Sequence, residues 1–290
     1  MTRPKGPAHT PPAPARIWAL LASEASTAVI FRRGPSRWTR LYQWNTRTDE
    51  ITPGSWFHGR LYEWMSDLSP DGQHLLYVAH NEARRRVRAA AEQFDGERMW
   101  SWTALCRPPW VKALGLWNAS DYWSGGGVFT DNHVLTINHS AKALKALIEA
   151  KGFVVEGVAG DRQRVDTFVI ALQRTGWRVT AWPERWRGMG EAHPIVFRKK
   201  ALELRFISSP RHTRYVRYIW HGPEAVPLLK GASWADLDQQ GRLVLAREGR
   251  LYARRGSEMN ELINLNLHQP LRSPGVPLDA KQSSHQTDPS

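Results

Sequence analysis

Residues 64–79 read WMSDLSPDGQHLLYVA. An apolar run closes at Leu68, Pro70 and Asp71 favour entry into a tight turn, Gly72 supplies a position that tolerates φ > 0, and a second apolar run follows. That order of residues is a β-hairpin. Residues 233–246, SWADLDQQGRLVLA, repeat it: Asp67 matches Asp236, Leu68 matches Leu237 and Gly72 matches Gly241, with Asp238 at the mouth of the second turn. A degraded third copy is read in ALQRTGWRV (171–179), where Leu172 and Gly176 keep the Leu-to-Gly spacing and Ala171 replaces the aspartate.

Outward from these hairpins the chain keeps the same texture. Short runs of β-branched, aromatic and aliphatic residues alternate with Gly, Pro, Asp and Asn, as in AVIFRR (28–33), GVFTDNHVLTI (127–137), TFVIALQRTGWRVTAW (167–182), ELRFI (203–207), RYVRYIW (214–220) and RLVLAREGRLYARR (242–255). Many short strands are the expectation, and with them an all-β fold. Two stretches read as helices, 81–93 (NEARRRVRAAAEQ) and 140–151 (SAKALKALIEAK). In the second, Ser140 is placed to cap, Leu144, Leu147 and Ile148 share a face, and Gly152 stops the turn. Two helices are too few for a chain of βαβ units. Residues 1–15 are Pro-rich and 272–290 polar with Pro, Gly and Ser, so both are expected to be disordered tails around a folded domain at 16–271.

The segment DLSPDGQHLLYVA resembles the D-x-S-P-D-G-x-x-L signature of bacterial TolB-like and WD40-like β-propeller repeats, and WADLDQQGRLVLAREGRLYAR resembles the same hairpin without its proline. The resemblance implies a β-propeller. At 40 to 50 residues per blade, the roughly 255 residues between the tails make about five or six blades, with one or two short helices inserted. It implies no activity, because propellers carry many.

The chain has 290 residues, 40 Lys plus Arg against 27 Asp plus Glu, and a formal net charge of +13. Arg supplies 31 of the 40 basic residues, and 15 Trp are present. Clusters at Arg32, Arg33, Arg37 and Arg40, at 84–88, at 198–217 and at 242–255 leave nucleic acid open as a partner through basic patches. No RNA- or DNA-binding module signature accompanies them, and solvated strand faces account for the same charges. Trp18, Trp64, Trp117, Trp177 and Trp234 stand beside strand or turn signals and are expected in the core. Trp56, Trp123, Trp182 and Trp186, with Arg187, are expected in Pro- or Gly-containing loops (TPGSWF, DYWSGGG, AWPERWRGMG), and those loops form the candidate binding surface, most suitably for another protein.

Signatures of chemistry are few. No G-x-S-x-G nucleophile elbow occurs, and the one cysteine, Cys106, sits among apolar residues as an inert thiol. The glycine run 125–127 lacks the Lys-Ser/Thr of a phosphate loop. Asp131, His133 and His139, and the pair Asp236 and Asp238, match no metal-ligand spacing, and Asp131-Asn132 reads as a hairpin turn; no metal and no cofactor are expected. The remaining histidines are scattered, which leaves a hydrolase or lyase with a His/carboxylate site at the propeller axis as the enzymatic alternative to a non-enzymatic interaction module. No stretch approaches the roughly 18 apolar residues of a membrane span, since 17–30 is broken by Ser23, Glu24 and Ser26. Basic residues precede that stretch, but the prolines before it and Glu24 within it fit an extended tail better than a signal peptide. With a single cysteine, a cytoplasmic location is the expectation.

Overall fold

A computed structural model describes residues 13–34, 37–119, 125–139, 144–157, 164–183, 194–208 and 214–270. Blade 1 contains β1 (Arg16–Leu21), β2 (Thr27–Arg33), β3 (Trp38–Asn45) and β4 (Ile51–His58). Blade 2 contains β5 (Arg60–Leu68), β6 (Leu75–His80), β7 (Ser101–Cys106) and β8 (Ala113–Asn118), with helix α1 (Arg84–Gln93) inserted between β6 and β7. Blade 3 has three strands, β9 (Gly127–Asp131), β10 (Val134–Ile137) and β11 (Val154–Gly157), the last parallel to β10. After helix α2 (Arg164–Arg174), blade 4 is built from β12 (Arg178–Ala181), β13 (Ile195–Lys199), β14 (Leu202–Ser208) and β15 (Arg214–Trp220). Blade 5 is β16 (Trp234–Leu237), β17 (Leu243–Arg247), β18 (Arg250–Arg255) and β19 (Glu258–Asn264). Every sheet takes its strands consecutively from the chain. The protein is therefore a five-bladed β-propeller, within the expected range of blades.

The repeated hairpins mark blades 2 and 5. Asp67 pairs with Leu76 and Leu68 with Leu75, as Asp236 pairs with Val244 and Leu237 with Leu243. Gly72 (φ +74°) and Gly241 (φ +76°) hold the left-handed turn position that a side chain would strain. Ser69 and Asp238 do equivalent work: Ser69 Oγ accepts the His74 amide at 2.9 Å, and Asp238 Oδ1 accepts the Arg242 amide at 2.9 Å. Pro70 and Asp71 occupy the first turn, where Asp71 Oδ1 accepts the Gln73 amide.

Two expectations are corrected. Residues 164–174 are helical, so ALQRTGWRV is no third hairpin: Gly176 (φ +91°) terminates α2, and the Trp177 amide turns back to the Leu172 carbonyl at 3.1 Å. Phe168, Val169 and Leu172 recur at helical spacing, a period hidden by their strand-like composition. The expected helix at 140–151 is absent over its described part, 144–151. There the edge strand β8 captures the backbone instead: the Leu147 amide donates to the Leu116 carbonyl at 2.8 Å, and the Leu116 amide donates to the Ile148 carbonyl at 2.9 Å. The helix expected over 81–93 forms as α1. Of the expected tails at 1–15 and 272–290, residues 1–12 and 272–290 lie outside the described residues.

Among the described residues no strand is exchanged between the first and last blades, so side chains close the ring. Ser233 Oγ donates to the Ile17 carbonyl at 2.9 Å, and Gln239 Nε2 donates to the Ala22 carbonyl at 2.7 Å. Arg242 of blade 5 forks onto Asp49 of blade 1 at 2.8 and 2.9 Å while its Nε donates to Asp238 at 2.8 Å. Arg255 adds a second contact to Asp49 at 2.7 Å.

Candidate functional site

The aspartates of the two repeats are structural pins. Asp67 is clasped by both terminal nitrogens of Arg174 at 2.6 and 2.8 Å and also accepts the Phe129 amide of β9 at 2.8 Å. Asp236 accepts Lys199 Nζ at 2.7 Å and Trp177 Nε1 at 3.1 Å. Each ties the first strand of its blade to a neighbouring blade, and neither lines the two cavities described below.

The axis itself is filled. Helix α2 lies against β5, β9 and β12, the first strands of blades 2, 3 and 4. Its Phe168 ring meets Trp18 of β1 (6.3 Å between centroids), Trp64 of β5 (5.4 Å), Phe197 of β13 (6.1 Å) and Phe206 of β14 (5.3 Å). Trp18 and Trp64 stack at 4.8 Å. Trp117, Trp177 and Trp234 are also buried, in line with the sequence reading. Among the described residues no three His, Cys, Asp or Glu side chains converge as a metal site. Cys106 is buried, and burial pushes its thiol well above the usual range, which removes it as a nucleophile at neutral pH.

Beside this plug lies a cavity of about 1040 Å³ lined from blades 1, 2, 4 and 5, among them Trp18, Trp64, Met65, Val216 and Glu248. A second cavity, about 740 Å³, shares Arg16, Arg33 and Arg60 with it and continues along the seam between blades 1 and 2, past Arg37, His58 and His80. The folding reason is local. β1 and β5 both begin on an arginine, β2 ends on Arg33, and Arg37 stands just before β3, so all four reach the same rim.

The carboxylates that line the two cavities already have partners: Glu63 with Arg33 (3.4 Å), Glu82 with His80 (3.0 Å) and, from blade 5, Glu248 with Arg247 (3.1 Å). Arg16, Arg37 and Arg60 are exposed, and among the described residues no carboxylate pairs with them. Arg33 is held below its usual pKa by burial first, with Glu63 opposing that shift and Arg60 and Arg16 adding to it. Beside the seam, Arg32 and Arg40 lie over Trp56, 5.4 and 5.1 Å from its centroid, and Arg60 lies over Tyr62 at 4.7 Å.

Of the sequence-nominated surface, Trp56 thus stands in strand β4 rather than in a loop, next to the seam and stacked under arginines. Trp182 follows β12 on blade 4, 43% exposed, and is not part of that seam. Trp123, Trp186 and Arg187 lie outside the described residues. Arg60 was missed by sequence reasoning; its signal was its position as first residue of a strand, the place Arg16 holds in blade 1.

No protein-family model and no curated protein matches the sequence. Among solved structures the chain is similar to the uncharacterized protein lmo1340 from Listeria monocytogenes EGD-e, at 9% identity over 91% of this chain and 87% of that one, with a TM-score of 0.31. It is also similar to the β-propeller domain of the Trilobed protease from Pyrococcus furiosus, at 10% identity over 86% of this chain and 84% of that one, with a TM-score of 0.27. It is the order of strands in this chain's own five sheets that makes it a propeller.

Proposed function

We propose that the protein is a non-enzymatic β-propeller module of the cytoplasm that binds another protein at the arginine-lined seam of blades 1 and 2. The observation that carries this reading is the packed axis. A propeller hydrolase or lyase would gather titratable groups there, whereas Trp18, Trp64, Phe168, Phe197 and Phe206 occupy it. The two cavities border the plug and share a rim of guanidinium groups from Arg16, Arg33 and Arg60, and surfaces of that kind serve recognition. Among the described residues no helix is long and apolar enough to cross a membrane, and the single buried thiol needs no oxidising compartment.

Capture from native lysate on the tagged chain, with and without nuclease, tests the reading. A discrete protein partner should survive nuclease and be lost from a chain carrying Arg16→Glu and Arg60→Glu. If all bound material disappears with nuclease, the basic seam serves nucleic acid and the reading is wrong.

A further inference from the structure

We propose that the seam recognises an extended acidic segment of a partner protein, whose carboxylates take the free edges of Arg16, Arg37 and Arg60 and displace Glu63 from Arg33; this rests on the interaction-module reading above. Three observations point the same way. First, the seam has an excess of positive charge. Arg16, Arg33, Arg37 and Arg60 line one continuous groove, and the three carboxylates bordering it are each already paired. A guanidinium offers a planar fork of N–H donors that matches a carboxylate in two-point contact.

Second, the aromatic faces beside the seam are taken. Trp56 lies under Arg32 and Arg40, Tyr62 lies under Arg60, Trp38 packs against Trp56 and His58, and Trp18 is stacked on Trp64. Single-stranded nucleic acid draws its non-specific affinity from aromatic platforms on which bases stack, and here the faces carry arginines instead. Arg32 is buried and spends its Nε on the Leu265 carbonyl, but Arg60 is exposed, and stacking on Tyr62 leaves its in-plane edge to present donors to a carboxylate.

Third, the groove contains a stand-in for its ligand. Glu63 reaches Arg33 at 3.4 Å, a long contact for an ion pair, and is steadied by Trp64 Nε1 at 3.2 Å. Its side chain is 12% exposed, at the rim of both the plug and the seam. An incoming carboxylate that reaches Arg33 competes with it.

Fluorescence anisotropy of a labelled oligoglutamate on the full chain tests this, with oligoglutamine of the same length and oligothymidylate of the same charge as comparisons. Oligoglutamate should bind more tightly than either. Arg16→Ala and Arg60→Ala, both at exposed positions, should each weaken it about tenfold, the worth of one charge-assisted hydrogen-bonded contact. Glu63→Gln should strengthen binding several-fold while leaving the denaturation midpoint in place. The proposal is overturned if oligoglutamate binds no better than oligoglutamine, if oligothymidylate binds more tightly, or if the arginine and Glu63 variants leave the affinity unchanged. Two failures stay separable. A partner that survives on the Arg16→Glu, Arg60→Glu chain overturns the acidic-segment proposal and the seam as the binding site, and leaves only the interaction module standing; no nuclease-resistant partner on the native chain overturns the module reading itself.

Discussion

Arg174 makes four hydrogen bonds with its two terminal nitrogens: two to the Asp67 carboxylate and one each to the carbonyls of Phe129 and Leu68. The Asp67 side chain is only 4% exposed, so its charge has no recourse to water once the guanidinium is gone. Arg174→Ala is expected to cost about 3 to 5 kcal/mol in urea unfolding, the range for a buried carboxylate stripped of its partner. The contrast is Arg88 with Glu92 on α1, at 84% and 67% exposure, where Arg88→Ala should cost about half a kcal/mol or less. Similar losses from the two variants would show that Asp67 reaches water after all. The repeat's aspartate is therefore kept for holding blades together, as Asp236 is by Lys199 and Trp177, and what looked in the sequence like turn chemistry extends to the blade-to-blade joint.

At the scale of elements, hairpins were legible because their cues are local. Turn residues at Pro70, Asp71, Gly72 and Gly241, and apolar runs on either side of them, need no knowledge of the rest of the chain. Helix α2 was misread because Val, Ile, Thr and Phe crowd residues 165–170, a composition that strands share; only the spacing of Phe168, Val169 and Leu172 betrays it. The segment at 144–151 failed the opposite way, since its amphipathic spacing was outbid by the open edge of β8. Of the seam, Arg33 and Arg37 were visible as a cluster, while Arg16 and Arg60 join them only through the blade geometry, which brings residues 44 positions apart onto one rim, as about 40 to 50 residues per blade requires. Ring closure was equally silent in the sequence, and it carries a prediction. Burial works to raise the Asp49 carboxyl, but hydrogen bonds from Arg242 and Arg255 outweigh it and leave it below the usual carboxylate range. A depressed folded value means that the latch contributes its full stability above the unfolded pKa, near 4, and loses it as the pH falls through the folded value. Asp49→Asn should therefore lower stability by about 2 kcal/mol at neutral pH and make the loss in acid shallower in urea titrations. Glu203, held low by Arg205, Arg198 and His221 against the effect of its burial, acts in the same direction, so some acid loss persists in the variant. An unchanged acid slope would place the acid-sensitive contacts elsewhere than the latch.

Over the whole molecule, two devices add to the aspartate pins in holding five blades in a ring. The Asp49–Arg242 latch joins blade 5 to blade 1, and α2 joins blades 1 to 4 from inside. Among the described residues blade 3 has only three strands and the first strand of blade 4 only four residues, so the axis on that side would be poorly filled by strands alone. Phe168 supplies the missing volume, with ring contacts to blades 1, 2 and 4, and its burial on four aromatic neighbours leaves no smaller side chain able to close the gap. Phe168→Ala should thus open a cavity at the point where the blades meet and cost about 3 to 5 kcal/mol. Trp110→Ala, removing a ring that is 56% exposed, should cost far less despite deleting more atoms. Because the same ring touches three blades, the loss should appear as a lower midpoint of one shared unfolding transition, with near-UV and far-UV circular dichroism moving together. Were the two signals to separate, blades would be unfolding independently and α2 would be a passenger of blade 4; a Phe168→Ala chain as stable as the native one would remove the helix from the axis altogether, and with it the reason for seeking the binding surface on the arginine rim instead of in the channel.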